Sequence, residues 1–167
     1  MSQIYRIREY RKDDSKNAFH FLSNILTNEF NIALDFDNQD SDLLDIENHY
    51  CRDEDCCFWI VELKGTSQII GTVAIRKLKE SVFTDTSNFA ELKRMFLAKQ
   101  YRGQGIGQQM LETALDFAKK AGYSKVFLYS SNDLKASRQL YLENGFVDII
   151  RYNNDYRAEI FMEKKLP

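Results

Sequence analysis

The segment Gln100-Tyr101-Arg102-Gly103-Gln104-Gly105-Ile106-Gly107 constrains this chain more than any other. It sits between a strand pattern, Phe89–Leu97, and the clearest amphipathic helix pattern in the sequence. In that helix Ile106, Met110, Leu111, Ala114, Leu115, Phe117, Ala118 and Ala121 recur at helical spacing, with Gly122 as the expected stop. Three glycines on alternate positions remove side chains, so an anionic group could approach the backbone closely. The helix that starts there directs unpaired N–H groups and its positive dipole end at the same point. Arg102 adds a permanent cation with five donors. Together these features suit a diphosphate cradle. The competing explanation is a tight strand-to-helix turn that needs glycine for packing alone. A dinucleotide fingerprint would read Gly-x-Gly-x-x-Gly near the first strand, and a P-loop would carry Lys-Ser/Thr; neither pattern is present.

The remaining elements fall around this turn. Ile4–Tyr10 reads as a first strand, and Asp13 or Asp14 would cap a helix with the stripe Ala18, Phe21, Leu22, Ile25, Leu26 and Phe30. A shorter helix is expected from Leu43, Leu44, Ile46 and Tyr50. Phe58–Glu62 and Ile69–Ile75 form a hairpin pattern, and a polar, mobile interval is expected at 79–87. Lys125–Ser130 is a short buried strand, Ala136–Glu143 a short helix, and strands at Phe146–Ile150 and Ala158–Glu163 close the chain. The order β-α-α-β-β-β-α-β-α-β-β predicts a mixed α/β fold, residues 1–167 making a single domain around one sheet. Trp59, Phe58 and Phe127 are expected in the core.

Arg102–Gly107 fits the Arg/Gln-x-x-Gly-x-Gly/Ala motif of the GNAT N-acetyltransferases. Ala136-Ser137-Arg138-Gln139-Leu140-Tyr141-Leu142-Glu143-Asn144-Gly145-Phe146 is similar to that family's Ala-x-x-Leu-Tyr-x-x-x-Gly-Phe segment. The resemblance is specific from about Glu91 to Phe146. It implies a mostly antiparallel sheet, splayed between its central strands to admit acetyl-CoA. Arg102, Gly103, Gln104, Gly105, Ile106 and Gly107 would then hold the pyrophosphate. Met95, Phe96 and Leu97 would line the pantetheine arm, with a backbone N–H at Phe96 or Leu97 facing the thioester carbonyl. Asn132 and Ser137 are further implied cofactor contacts, in a stretch that departs from the family pattern, as does Lys99, where a proline is common. Tyr141 matches the family's general acid toward the departing CoA thiolate; a phenol near pKa ~10 facing a thiol of about 8.5 suits that exchange.

An amine acceptor needs a proton acceptor, and Glu91 is the candidate, with Glu62 and Glu159 behind it. Simple alternation sets Glu91, Lys93, Met95 and Leu97 on one face; the alternative for Glu91 is an ion pair with Lys93 or an arginine within the sheet. The implied activity is transfer of an acetyl group to a primary amine of a small molecule or peptide, through a tetrahedral intermediate. The alternative is a catalytically silent acyl-CoA sensor or partner-binding module. Acids in the segment Asn28–Asp37 would favour a cationic amine, unless the run is simply a solvated loop.

Lys plus Arg number 23 against 25 Asp plus Glu, a net charge of −2, which argues against nucleic acid as a partner. No apolar run is long enough for a membrane span, and the opening Met1–Arg6 is unlike a signal peptide, so a cytoplasmic location is expected. Cys51, Cys56 and Cys57 read as reduced thiols and His20 and His49 as isolated, so no metal is expected. Strand edges left exposed would suit a homodimer.

Overall fold

The computed structural model describes residues 4–79, 81–83, 85 and 88–167. Residues 80, 84, 86 and 87 of the interval expected to be mobile, and Met1–Gln3, lie outside the described residues. Seven strands form one sheet in the order β1-β2-β3-β4-β5-β7-β6. They are β1 (Tyr5–Glu9), β2 (Cys57–Leu63), β3 (Ile69–Lys77), β4 (Phe89–Leu97), β5 (Lys125–Ser130), β6 (Val147–Asp148) and β7 (Ile160–Lys165). All neighbours are antiparallel except β4 and β5.

Helices cover both faces. On one, α3 (Ile106–Lys120) buries Ile106, Met110, Leu111, Ala114 and Ala118 against Val73, Ile75, Ala90 and Leu92. On the other, α1 (Ser15–Asn24) and α2 (Ile46–Tyr50) bury Ala18, Leu22, Ile46 and Tyr50 against Phe58, Ile60 and Ala74. At about 25 cal/mol per Å², each such aliphatic side chain contributes about 1.5–3 kcal/mol. Gly122 ends α3 at φ +86°, as its position predicts. Trp59, Phe58 and Phe127 are buried as expected.

Three local readings need correction. Asp14 stands at the start of α1, but its carboxylate binds Arg8 (2.7 Å) and the Arg11 N–H (2.7 Å) rather than capping the helix. The second helix begins only at Ile46, where Asp45 accepts from the Asn48 N–H at 3.1 Å; a 3₁₀ turn holds Ser41–Leu44. The last strand starts at Ile160, because the Ala158 carbonyl is occupied by the Arg151 guanidinium at 2.7 Å. Its neighbour β6 is only two residues long, and Ile150 is exposed.

The central strands position the site. β4 and β5 pair only at Phe89–Glu91 with Lys125–Phe127, and beyond Glu91 they separate. β4 also carries a bulge. Thr72 opposes Phe96 and Ala74 opposes Lys93, so Val73 faces both Arg94 and Met95. Arg94 takes the left-handed conformation at φ +51°, a cost of about 1–2 kcal/mol for a residue with a Cβ. The bulge overturns the simple alternation. Glu91, Lys93 and Phe96 share the face of Arg76, Ala74 and Thr72, whereas Met95 and Leu97 pack on the α3 side with Leu92.

Candidate active site

The gap between β4 and β5 holds a cavity of about 200 Å³. Met95 and Phe96 form one wall, Leu128 and Tyr129 the other, and Phe30 and Ile32 close it from the segment after α1. Tyr141 reaches it from α4 (Lys135–Glu143). Tyr141 is 6% exposed, packs against Phe146 at 5.7 Å between ring centroids, and has no hydrogen-bond partner for its hydroxyl among the described residues. Burial pushes its phenol well above the ordinary value, so it stays protonated.

The glycine-rich turn lies just beyond Leu97. Gly103 and Gly105 adopt φ +72° and +80°, and a Cβ at either would meet nothing within 4 Å. Both therefore leave an open approach to the backbone. The first hydrogen bond of α3 runs from the Gln109 N–H to the Gly105 carbonyl. Among the described residues no acceptor takes the N–H groups of Gly103 through Gly107, the arrangement that favours an anion. Ile106 is buried, so only its backbone faces this space, and a Cβ at Gly107 would meet the Leu140 side chain at 3.6 Å, an ordinary packing distance.

Arg102 is placed differently from a free phosphate ligand. Its Nε donates to the Leu97 carbonyl at 2.8 Å, its guanidinium pairs with Glu29, and it sits 5.9 Å from the centre of the Phe30 ring. Gln104 turns back to the Gln100 carbonyl at 3.1 Å. The Leu97 carbonyl therefore points away from β3. The Ala98 N–H bonds the Ile70 carbonyl at 2.8 Å, and alternation along an antiparallel ladder turns the Leu97 N–H toward the gap. Of the two amides considered from sequence, Phe96 faces β3 and Leu97 the gap.

Glu91 does not reach the cavity. It is 3% exposed; one carboxylate oxygen accepts from Arg76 at 3.1 and 3.3 Å, the other from the Tyr152 hydroxyl at 3.1 Å. Of its two roles left open by the sequence, the geometry matches the ion pair. Glu62 is similarly held by Arg6 and Arg8 at 2.5 Å. Asn132 and Glu159 lie together in a separate groove beside α4, where the Asn132 N–H donates to Glu159 at 3.0 Å. Ser137 is half-buried on α4 and does not line the cavity.

Two features had not been read from the sequence. Lys93 is buried, lines the cavity, hydrogen-bonds the Tyr129 hydroxyl, and lies 4.3 Å from the centre of that ring. Beside it the bulge residue Arg94 bonds Asp42 at 2.5 and 2.9 Å and Asp40 at 3.1 Å; Arg157 also binds Asp40 at 2.9 Å and Asp155 at 3.3 Å. The signal was three charged residues within an otherwise apolar central strand. Burial alone would raise the Asp42 carboxyl, but Arg94 overrides it and holds it well below the carboxylate range; Asp40, held by Arg157 and the Asp35 N–H, is also lowered. Folded-state values below the unfolded ones stabilise the protein above about pH 4, and this contribution is lost as pH falls. Acid unfolding followed by circular dichroism is expected to become shallower below pH 4 in Asp42→Asn.

The segment expected to offer acids to the acceptor presents Phe30 and Ile32 instead; Asp37 is exposed, and Glu29 is taken by Arg102. The thiols of Cys51, Cys56 and Cys57 are free, and burial pushes Cys51 up to about 11 and Cys57 to about 12. Asp53, Asp55 and Cys56 bring donor atoms within 4.8 Å of one another without being part of the cavity lining. Among the described residues no helix is long and apolar enough to cross a membrane.

A splayed mixed sheet, a bulged fourth strand and an N–H-lined glycine turn define an acetyltransferase fold, and the chain belongs to the GNAT acetyltransferase family, whose match spans residues 19–146. Its relatives are equally specific. It is 35% identical over 105 residues to a probable N-acetyltransferase camello of Xenopus tropicalis, covering 63% of this chain and 45% of that protein. It is 31% identical over 128 residues to an N-acetylaspartate synthetase of the same species, covering 77% and 42%. The chain thus spans less than half the length of these curated relatives. A GNAT-family acetyltransferase from Staphylococcus aureus Mu50 superposes with a TM-score of 0.84 at 27% identity, over 98% of this chain and 99% of that one. A putative acetyltransferase from Salmonella typhimurium, solved with its cofactor acetyl-CoA, shares the fold at TM-score 0.72 and 15% identity, over 99% and 95%.

Proposed function

We propose that the chain, acting as one catalytic unit, transfers an acetyl group from acetyl-CoA to a primary amine of a small molecule or peptide. The observation that carries this reading is the open N–H-lined turn that follows β4 directly, beside a Leu97 amide turned away from β3, with Tyr141 in the wall of the cavity between β4 and β5. The names of its relatives, and the acetyl-CoA found with the Salmonella protein, support it.

In this reading the amides of Gly103–Gly107 take the diphosphate, and Arg102 exchanges Glu29 for it. The pantetheine arm lies along Met95–Leu97. The amine attacks the thioester carbonyl; the C–N bond forms and the carbonyl electrons move onto oxygen, where the Leu97 N–H stabilises the oxyanion. Collapse breaks the C–S bond, and Tyr141 donates its proton toward the thiolate. Burial holds its phenol above the ordinary value, so Tyr141 enters the step protonated, and solvent restores its proton once the thiol has left.

Tyr141→Phe is expected to lower kcat about 100-fold or more while CoA binding changes little, because the ring still fills its place against Phe146. Thiol release measured with acetyl-CoA and an amine panel, beside calorimetry of CoA, checks this. CoA binding with no product from any amine would identify the silent binding module instead. Unchanged kcat would remove Tyr141 from the chemistry.

A further inference from the structure

We propose that Lys93 takes the proton of the attacking amine. This rests on the acetyl-transfer reading and completes it, since that reading leaves the amine's proton without a destination. An amine nucleophile resembling lysine is an ammonium near pKa 10.4 in water and must lose a proton to attack or during attack. Glu91, the acid on β4, has both carboxylate oxygens engaged, one by Arg76 of β3 and the other by the Tyr152 hydroxyl.

The cavity itself narrows the choice. Arginines are not bases, and Arg94 and Arg157 are engaged with Asp40, Asp42 and Asp155. Asp155 accepts from the Arg157 N–H at 2.9 Å and its Nε at 3.3 Å. Asp133 stands exposed at the rim. Lys93 differs from all of these. Its Nζ has no carboxylate within ion-pair distance among the described residues, and it donates to the Tyr129 hydroxyl. It follows Leu92 and precedes the bulge, so it stands on the same stretch of β4 as Met95 and Phe96, facing the cavity that Tyr141 enters from α4. Proton acceptor and proton donor therefore open onto one small space.

The surroundings suit a neutral amine. Burial, aided by Arg76 and Arg94 and opposed by Glu91 and Asp42, brings the Lys93 ammonium down to about 8. Tyr129, the group facing it from β5, stays a phenol, since burial and Glu91 raise its pKa strongly. Tyr152 is likewise raised by burial and bonds Glu91 rather than Lys93. A neutral Lys93 donates one N–H to Tyr129 and keeps its lone pair for the substrate. The step balances: the substrate N–H bond breaks, its proton joins Nζ to give the ammonium, and the freed pair forms the C–N bond to the acetyl carbon. Solvent takes that proton before the next cycle.

Two measurements test this. Nitrogen-15 NMR of the free protein, with the lysine signal assigned by Lys93→Met, should give a titration midpoint near 8; a midpoint of 10 or above overturns the proposal without touching acetyl transfer. Thiol release from acetyl-CoA is then followed with L-amino acids, spermidine and short peptides as acceptors. Lys93→Met and Lys93→Arg should each lose at least about 100-fold in kcat with CoA affinity retained, and wild-type kcat should rise with pH through about 8. Arg keeps the charge but not the base, so recovery in Lys93→Arg would show a merely structural cation and overturn the proposal. A pH limb removed by Asp133→Asn and retained in Lys93→Met would move the role to the rim. If wild type acetylates none of these amines, the transfer reading itself fails and takes the proposal with it.

Discussion

Gly105→Val is expected to weaken CoA binding at least 100-fold while the protein still folds. At φ +80° Gly105 occupies a conformation that costs a residue with a Cβ about 1–2 kcal/mol, which a domain of this size survives. A Cβ there meets nothing within 4 Å, so the new side chain clashes with no protein atom. It stands instead in the open approach to the amides, where a diphosphate must come within hydrogen-bonding distance. Loss of even two charge-assisted hydrogen bonds, at about 1.5–3 kcal/mol each, exceeds the ~2.7 kcal/mol that a 100-fold change represents. Gly107→Ala is the matched control: its Cβ meets Leu140 at 3.6 Å, so packing changes little and affinity should stay within a few-fold. Calorimetry with CoA, alongside thermal melts, separates binding from folding.

Arg94→Met is expected to destabilise the protein by about 3–5 kcal/mol, the typical cost of leaving a buried charge without its partner. Asp40 is fully buried and Asp42 is 4% exposed. Removal of the guanidinium leaves Asp42 with the Tyr50 hydroxyl and Asp40 with Arg157. Methionine keeps most of the side-chain volume and pays the same left-handed backbone cost as arginine, so the difference reports the ion pairs. Urea unfolding should show a lower midpoint with an unchanged slope. The double variant Arg94→Met/Asp42→Asn should recover part of the loss, since the stranded charge is gone.

These two sites differ in how far the sequence reveals them. The glycine turn was legible because its physics is local: glycine spacing, a strand before it and a helix after it sit within a few residues. The helix stripe and its stop at Gly122 were legible for the same reason. The bulge at Arg94 was not, because it exists only relative to Val73 on the neighbouring strand. Alternation consequently placed Met95 and Leu97 on the wrong face, and Glu91 on β4 appeared able to point toward the cleft. The Asp40 and Asp42 partners lie more than 50 residues before Arg94, in a polar stretch that nothing links to β4 until the sheet is assembled. Tyr129 likewise reaches Lys93 from a strand 36 residues later. Asn132 was carried by family likeness over a segment whose register departs from the pattern, and it stands in a different groove.

The bulge links these parts. It gives up regular pairing at Arg94, and the Asp40–Asp42 segment is bound there. The same offset turns Phe96 toward the α1 face and leaves the Leu97 amide free on the open side. Stability and site geometry thus share one strand, so Arg94 variants should lose catalysis through lost folding first.

Amide NMR of the wild-type protein tests the anion cradle most directly. Adding CoA should shift the N–H signals of Gly103 through Gly107 and of Leu97, whereas S-acetylpantetheine, which lacks the diphosphate, should move Leu97 and leave the glycine turn nearly unchanged. CoA that leaves the signals of Gly103–Gly107 in place, or that shifts them no more than S-acetylpantetheine does, would contradict the account.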